Sequence, residues 1–131
     1  MATFAARLPA ASGAVARSIV LSRRFAEAAA LPAGAADQLA IVVEECVVNL
    51  LEHGRPPPGS RIALRLDRAE GCVRLTVSDA GRPFDPRDAA FDGPNLDRGG
   101  GAGLALIKAW CRVADYTTAR GRNRLVLELP T

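Results

Sequence analysis

The stretch Glu44-Glu45-Cys46-Val47-Val48-Asn49-Leu50-Leu51-Glu52-His53-Gly54 sets a carboxylate and an amide four residues apart inside an apolar run. At about 100° per residue, Gln38, Asn49 and Glu52 fall within about 40° of Glu45, while Leu39, Val43, Cys46, Val47 and Leu50 occupy the other side. The pattern predicts a helix with a packing face and a polar stripe. A solvated stripe on any amphipathic helix has the same spacing, so the segments on either side must decide what this one does.

Working upstream, the helix is expected to begin at Ala35 or Ala36, with Gly54 placed to end it after His53. Leu31-Pro32-Ala33-Gly34 separates it from an earlier helix with Ser12 as N-cap, Val15, Ile19, Phe25 and Ala26 on its apolar side and Arg17, Arg23 and Arg24 toward water, running to about Ala30. Before that, Thr3 to Pro9 alternates Phe4, Ala6 and Leu8 against Thr3, Ala5 and Arg7, the period of a half-buried strand.

Downstream, Arg55-Pro56-Pro57-Pro58-Gly59 is a stiff exit loop. Strands are expected over Arg61–Arg68 and Cys72–Asp79, joined as a hairpin by Ala69-Glu70-Gly71. From Ala80 to Gly103 periodicity is lost among Gly, Pro, Asp and Asn, and a loop this long in a small domain commonly binds something. A helix over 102–113 and strands over 112–119 and 123–129, with a turn at Arg120-Gly121-Arg122, close the chain. The order β-α-α-β-β-loop-α-β-β implies an α+β two-layer sandwich, a mixed but mostly antiparallel sheet with three helices on one face.

Composition narrows the functional classes. The 131 residues suit one domain with a real core. The net charge of +3 does not mark a nucleic-acid binder, because the arginines are scattered, Lys108 is the one lysine, and aromatics for stacking bases are scarce. Cys46, Cys72 and Cys111 are odd in number and widely spaced, which excludes a CxxC zinc site and suits a reducing compartment. No apolar run approaches about 18 residues and no signal peptide is evident, so a cytoplasmic protein away from membranes is expected.

Two glycine-bearing segments carry chemistry. Val77-Ser78-Asp79-Ala80-Gly81-Arg82-Pro83-Phe84-Asp85-Pro86 leaves a strand and turns, with Asp79 free to accept hydrogen bonds and Gly81 permitting close approach or a positive φ. Gly99-Gly100-Gly101-Ala102-Gly103-Leu104-Ala105-Leu106-Ile107 delivers a glycine loop into a helix N-terminus, whose free N–H groups suit phosphate. Neither GxxxxGK[ST] nor a strand-following GxGxxG is present.

Taken in this order, Glu-x-x-x-Asn on a helix, strand-Asp-x-Gly-x-Pro-Phe-Asp-Pro and Gly-Gly-x-Gly-Leu-x-Leu-Ile, the chain resembles the GHKL (Bergerat-fold, histidine kinase-like) ATPases, and among them the small anti-sigma factor serine/threonine kinases. The resemblance covers nearly all of the sequence. It implies that Asn49 coordinates Mg²⁺ on the ATP phosphates, Asp79 accepts the adenine amino group, and Gly81, Pro83 and Phe84 shape the adenine pocket. Gly99, Gly100, Gly101, Gly103 and Leu104 would form the phosphate-side lid. Glu45 would be the general base, in preference to Glu44, which is turned about 100° from it. His53 matches a histidine of the family's Asn-x-x-x-His pattern and is a secondary site residue. Arg82, Arg98 and Lys108 are further candidates to meet phosphate charge.

By the same resemblance, the protein would phosphorylate a STAS-type anti-anti-sigma antagonist, bind a sigma factor, and form a homodimer. A nucleotide-gated binding module that transfers no phosphate is the rival from another class. The short 86–99 segment carries Asp88, Asp92 and Asp97, an acidic departure near a triphosphate. Nothing like a phosphoacceptor-histidine helix precedes the site, so a complete sensor histidine kinase is not expected.

Overall fold

The computed structural model describes residues 2–87 and 102–131. Strand β1 (Thr3–Pro9) leads into helices α1 (Gly13–Ala28) and α2 (Ala33–Asn49), and α2 continues as one π-helical turn over Leu50–Gly54. Strands β2 (Arg61–Ala69) and β3 (Cys72–Asp79) form a hairpin; helix α3 (Ala102–Trp110) precedes β4 (Arg112–Ala119) and β5 (Arg122–Pro130). The sheet order is β1-β2-β3-β5-β4.

Every described pairing is antiparallel, in keeping with the mostly antiparallel sheet expected. Two helices between β1 and β2 return the chain in the opposite sense. Strand β4 does run the same way as β3, but β5 folds back between them, so no parallel ladder forms.

Alternation buries Ile62, Leu64 and Leu66 of β2, Val73, Leu75 and Val77 of β3, and Leu127 and Leu129 of β5 against Phe25, Leu39, Val42, Val43, Val47 and Ile107 of the helices. Phe25 has no exposed surface and meets Phe4 edge-on at 5.8 Å. Phe25→Ala is expected to cost about 3–5 kcal/mol of unfolding free energy, measured by urea titration, because the helix layer cannot collapse into so large a void.

Helix α1 differs from its sequence reading. Ser12 has helical dihedrals and makes no capping hydrogen bond. The buried face is Ala14, Ser18, Ser22, Phe25 and Ala26, with Val15 and Ile19 only half-buried. Ser18 and Ser22 are buried without cost in unpaired polarity, since their hydroxyls donate to Val15 O at 2.7 Å and Ile19 O at 2.8 Å. Their small size suits a helix surface packed against α2.

The ends of the other elements carry two more corrections. The last helix stops at Trp110, not Val113, because β4 begins at Arg112. The left-handed residue after the π turn is Arg55 (φ 46°), not Gly54. Arg120 (φ 55°) and Gly121 (φ 76°) are both left-handed, as a tight two-residue hairpin between β4 and β5 requires.

Candidate functional site

The end of α2 and the turn after β3 are joined through two glycines. Arg82 N donates to Gly54 O at 2.7 Å, and a Cβ on Gly81 would stand 2.5 Å from that oxygen and 2.9 Å from Asp79 Oδ2. Gly81 is therefore required by close approach to backbone, rather than by positive φ. A Cβ on Gly54 would meet Asp79 Oδ2 only at 3.7 Å, an ordinary contact.

Asp79, at the last position of β3, is 2% exposed. Its Oδ2 accepts the Gly81 N–H at 2.9 Å and faces Asn123 Nδ2 at 3.4 Å. Asn123, 3% exposed on β5, also donates to Gly81 O at 2.9 Å and accepts from Thr118 Oγ1 at 3.3 Å. One buried amide thus fixes both the carboxylate and the turn beside it, and Asp79 Oδ1 is left without a hydrogen bond among the described residues.

Asp79 lines a cleft between the helix layer and the sheet, together with Cys46, Asn49, Ile107, Tyr116 and Phe84. The space enclosed in the cleft is about 30 Å³, and about 490 Å³ when its open mouth and the adjoining solvent are counted. Its lining is mostly apolar, with Asp79, Asn49, Arg82 and Tyr116 as its polar residues. Such a lining can hold an apolar group that presents a hydrogen-bond donor to Asp79.

Glu45 lies one helical turn before Asn49, and its carboxylate rests against the first turn of α3: a Cβ on Gly103 would be 1.8 Å from Glu45 Oε2. Burial raises the Glu45 pKa, and the neighbouring charges of Glu44 and Glu52 raise it further. Its carboxyl therefore keeps its proton to higher pH than an ordinary glutamate does.

Residues 8–129 match the family model of the histidine kinase-like ATPase domain. The chain belongs to that family. Over 95 residues, 70% of the chain, it is 42% identical to "Sensor protein DivL" of Caulobacter vibrioides, and it spans only 12% of that relative. Among solved structures, the RsbU and RsbW domains of Rv1364c from Mycobacterium tuberculosis superpose with a TM-score of 0.69 at 18% identity, over 99% of this chain and 32% of that one. The SiaB-SiaC complex from Pseudomonas aeruginosa gives 0.61 at 13% identity, over 98% and 89% respectively.

Within this histidine kinase-like ATPase domain, the structure brings together Asn49, Asp79, Gly81 and Phe84 around one cleft, with Arg82 at its wall. The His53 ring stacks on Phe84 at 6.2 Å and 23°. Pro83 is exposed, Leu104 is buried in the first turn of α3, and Lys108 faces solvent on the same helix. Glu45 is next to Gly103 and is not among the residues lining the cleft. Gly99, Gly100, Gly101 and Arg98 lie outside the described residues, as do Asp88, Asp92 and Asp97.

Several site residues of this domain have no motif to announce them. Asn123 reads as part of a hairpin, and its partners are distant in sequence. Cys46 belongs to the packing face of α2 and forms the inner wall of the cleft; burial pushes its thiol strongly upward, so it is kept protonated. Tyr116 is hidden by an irregularity in β4, whose register shifts between Val113 and Asp115.

The residues fit a nucleotide-bound Mg²⁺. Among the described residues no group of three His, Cys, Asp or Glu forms a metal cage, whereas Mg²⁺ commonly takes only one or two protein oxygens and keeps waters and phosphates for the rest. Asn49 supplies an amide oxygen at the cleft wall. No helix among the described residues is long and apolar enough to cross a membrane.

Proposed function

We propose that this domain binds Mg·ATP with its adenine against Asp79 and transfers the γ-phosphoryl group to a serine or threonine of a STAS-type antagonist in a partner-switching pathway. The observation that carries the reading is Asp79: a buried carboxylate with one oxygen held by Gly81 N–H and the other free to accept an adenine amino hydrogen. Asn49 lines the same cleft, where its amide oxygen would hold Mg²⁺. The ion neutralises phosphate charge when bound. Glu45, one turn away, receives the proton of the incoming hydroxyl. Gly99 to Gly103 would close over the phosphates.

The partners belong to the same proposal. A sigma factor would be held when the antagonist is phosphorylated, in a cytoplasmic complex built on a homodimer. The solved neighbours support this choice by fold, and the SiaB-SiaC complex is an instance of that fold bound to another protein. A nucleotide-gated switch without phosphotransfer draws support from one contact, Glu45 lying against Gly103 instead of lining the cleft.

Copurification from the native cell, followed by incubation with γ-labelled Mg·ATP, separates the two. The kinase reading expects label on a serine or threonine of the copurified partner. Tight ATP binding with no labelled protein would leave the gated switch.

A further inference from the structure

Strand β4 carries an extra residue. Val113 pairs with Leu127 and Tyr116 pairs with Leu125, so three steps on β4 match two on β5, and the surplus falls between Val113 and Asp115. Leu125 and Leu127 both belong to the face of β5 that meets the core. Uninterrupted alternation from Val113 would turn Asp115 to that face and Tyr116 to the opposite one. The bulge re-aims Tyr116 instead, and bulges commonly serve to re-aim a side chain.

Tyr116 so directed lines the cleft, and its hydroxyl accepts the Phe84 backbone N–H at 2.7 Å. Phe84 is five residues beyond Asp79, and its ring is stacked on His53 at the end of α2. Three backbone N–H groups anchor the chain after Asp79, beside the Asn123 bond to Gly81 O: Gly81 N–H to Asp79 Oδ2, Arg82 N–H to Gly54 O, and Phe84 N–H to Tyr116 Oη. The first two anchors are built from backbone and the proposed ligand-binding carboxylate. The third uses a side chain from a strand at the far edge of the sheet.

We infer that Tyr116 is a positioning residue for the nucleotide base: its hydroxyl holds the Phe84 backbone so that the Phe84 ring forms a fixed wall at the Asp79 end of the cleft. The role rests on the nucleotide reading above. Tyr116 acts through Phe84 and takes no part in phosphoryl transfer. An aromatic wall held in place before the ligand arrives needs no ordering on binding, which favours affinity for a flat ring.

Calorimetric titration of Mg·ATP into wild type, Tyr116→Phe, Phe84→Ala and the double variant tests it. Tyr116→Phe keeps the ring and removes only the oxygen that accepts. Loss of one such hydrogen bond is expected to weaken ATP binding about three- to tenfold in the wild-type background. In the Phe84→Ala background the same change is expected to make less than about a twofold difference, since no ring remains to be positioned.

Equal affinities of wild type and Tyr116→Phe would overturn the inference while leaving the nucleotide reading intact. So would an undiminished effect of Tyr116→Phe in the absence of the Phe84 ring, which would mean that the hydroxyl acts elsewhere. A wild-type chain that binds no Mg·ATP would instead remove the nucleotide reading, and this inference with it.

Discussion

Gly81→Ala is expected to weaken Mg·ATP binding by about a hundredfold or more, with Gly54→Ala, its neighbour across the contact, changing it only a few-fold. The difference comes from what each new Cβ would strike. At position 81 it would meet Gly54 O at 2.5 Å, Gly54 C at 2.9 Å and Asp79 Oδ2 at 2.9 Å. Two of those atoms are backbone at the end of α2 and cannot swing aside. Relief therefore moves the turn, breaks the Arg82 N–H bond to Gly54 O, and drags Asp79 from its place. At position 54 the nearest atoms are 3.7 and 3.9 Å away, ordinary contacts that need no movement. Calorimetric titration of the two variants, with far-ultraviolet circular dichroism to verify folding, checks the contrast.

Glu45→Gln is expected to lower phosphotransfer to the partner by about 10²–10⁴ while changing Mg·ATP affinity little. The amide keeps the shape of the side chain and cannot take a proton. The pH dependence supplies a second readout. With Glu45 as the proposed base, transfer by wild type would require its ionised form, so the rate is expected to rise with pH through the raised pKa of that group, and Glu45→Gln is expected to lack this limb.

Stability follows the opposite sense. A carboxyl whose folded pKa lies above its unfolded value favours the protonated native form, so its stabilising contribution is present at acid pH and lost as pH rises through the folded pKa. Glu45→Gln should therefore melt at a higher temperature than wild type at pH 7, and the gain should vanish below about pH 4, where Glu45 is protonated in both states. Differential scanning at the two pH values measures it.

The strands were legible because their physics is local. Ile62, Leu64 and Leu66 must share a face whatever the rest of the chain does, and one face of the sheet is covered by helices. The side of α2 that bears Glu45 and Asn49 was legible for the same reason, from helical angle alone. Tyr116 was not, since its direction depends on a bulge that alternation does not reveal. Asn123 and Asp79 are 44 residues apart, and only the β3–β5 register brings them opposite one another.

Gly81 is an intermediate case. Sequence marked it as a turn residue and as half of the Asp-x-Gly motif, but the reason it must be glycine is the carbonyl of Gly54, which belongs to another element. Ser18 and Ser22 carry no apolar signal in the sequence, yet they are buried, because each hydroxyl is satisfied by its own helix. In each case the missing information is a tertiary contact, and the local signal is weak or points the other way.

The proposed acceptance of the adenine amino group by Asp79 is tested with the least disturbance by Asp79→Asn. The asparagine carbonyl can accept the Gly81 N–H as Oδ2 does now, and its NH₂ then replaces the free oxygen with a donor. Titrated with Mg·ATP, wild type should bind and Asp79→Asn should bind about a hundredfold more weakly or not at all. Equal dissociation constants for the two proteins would contradict the account.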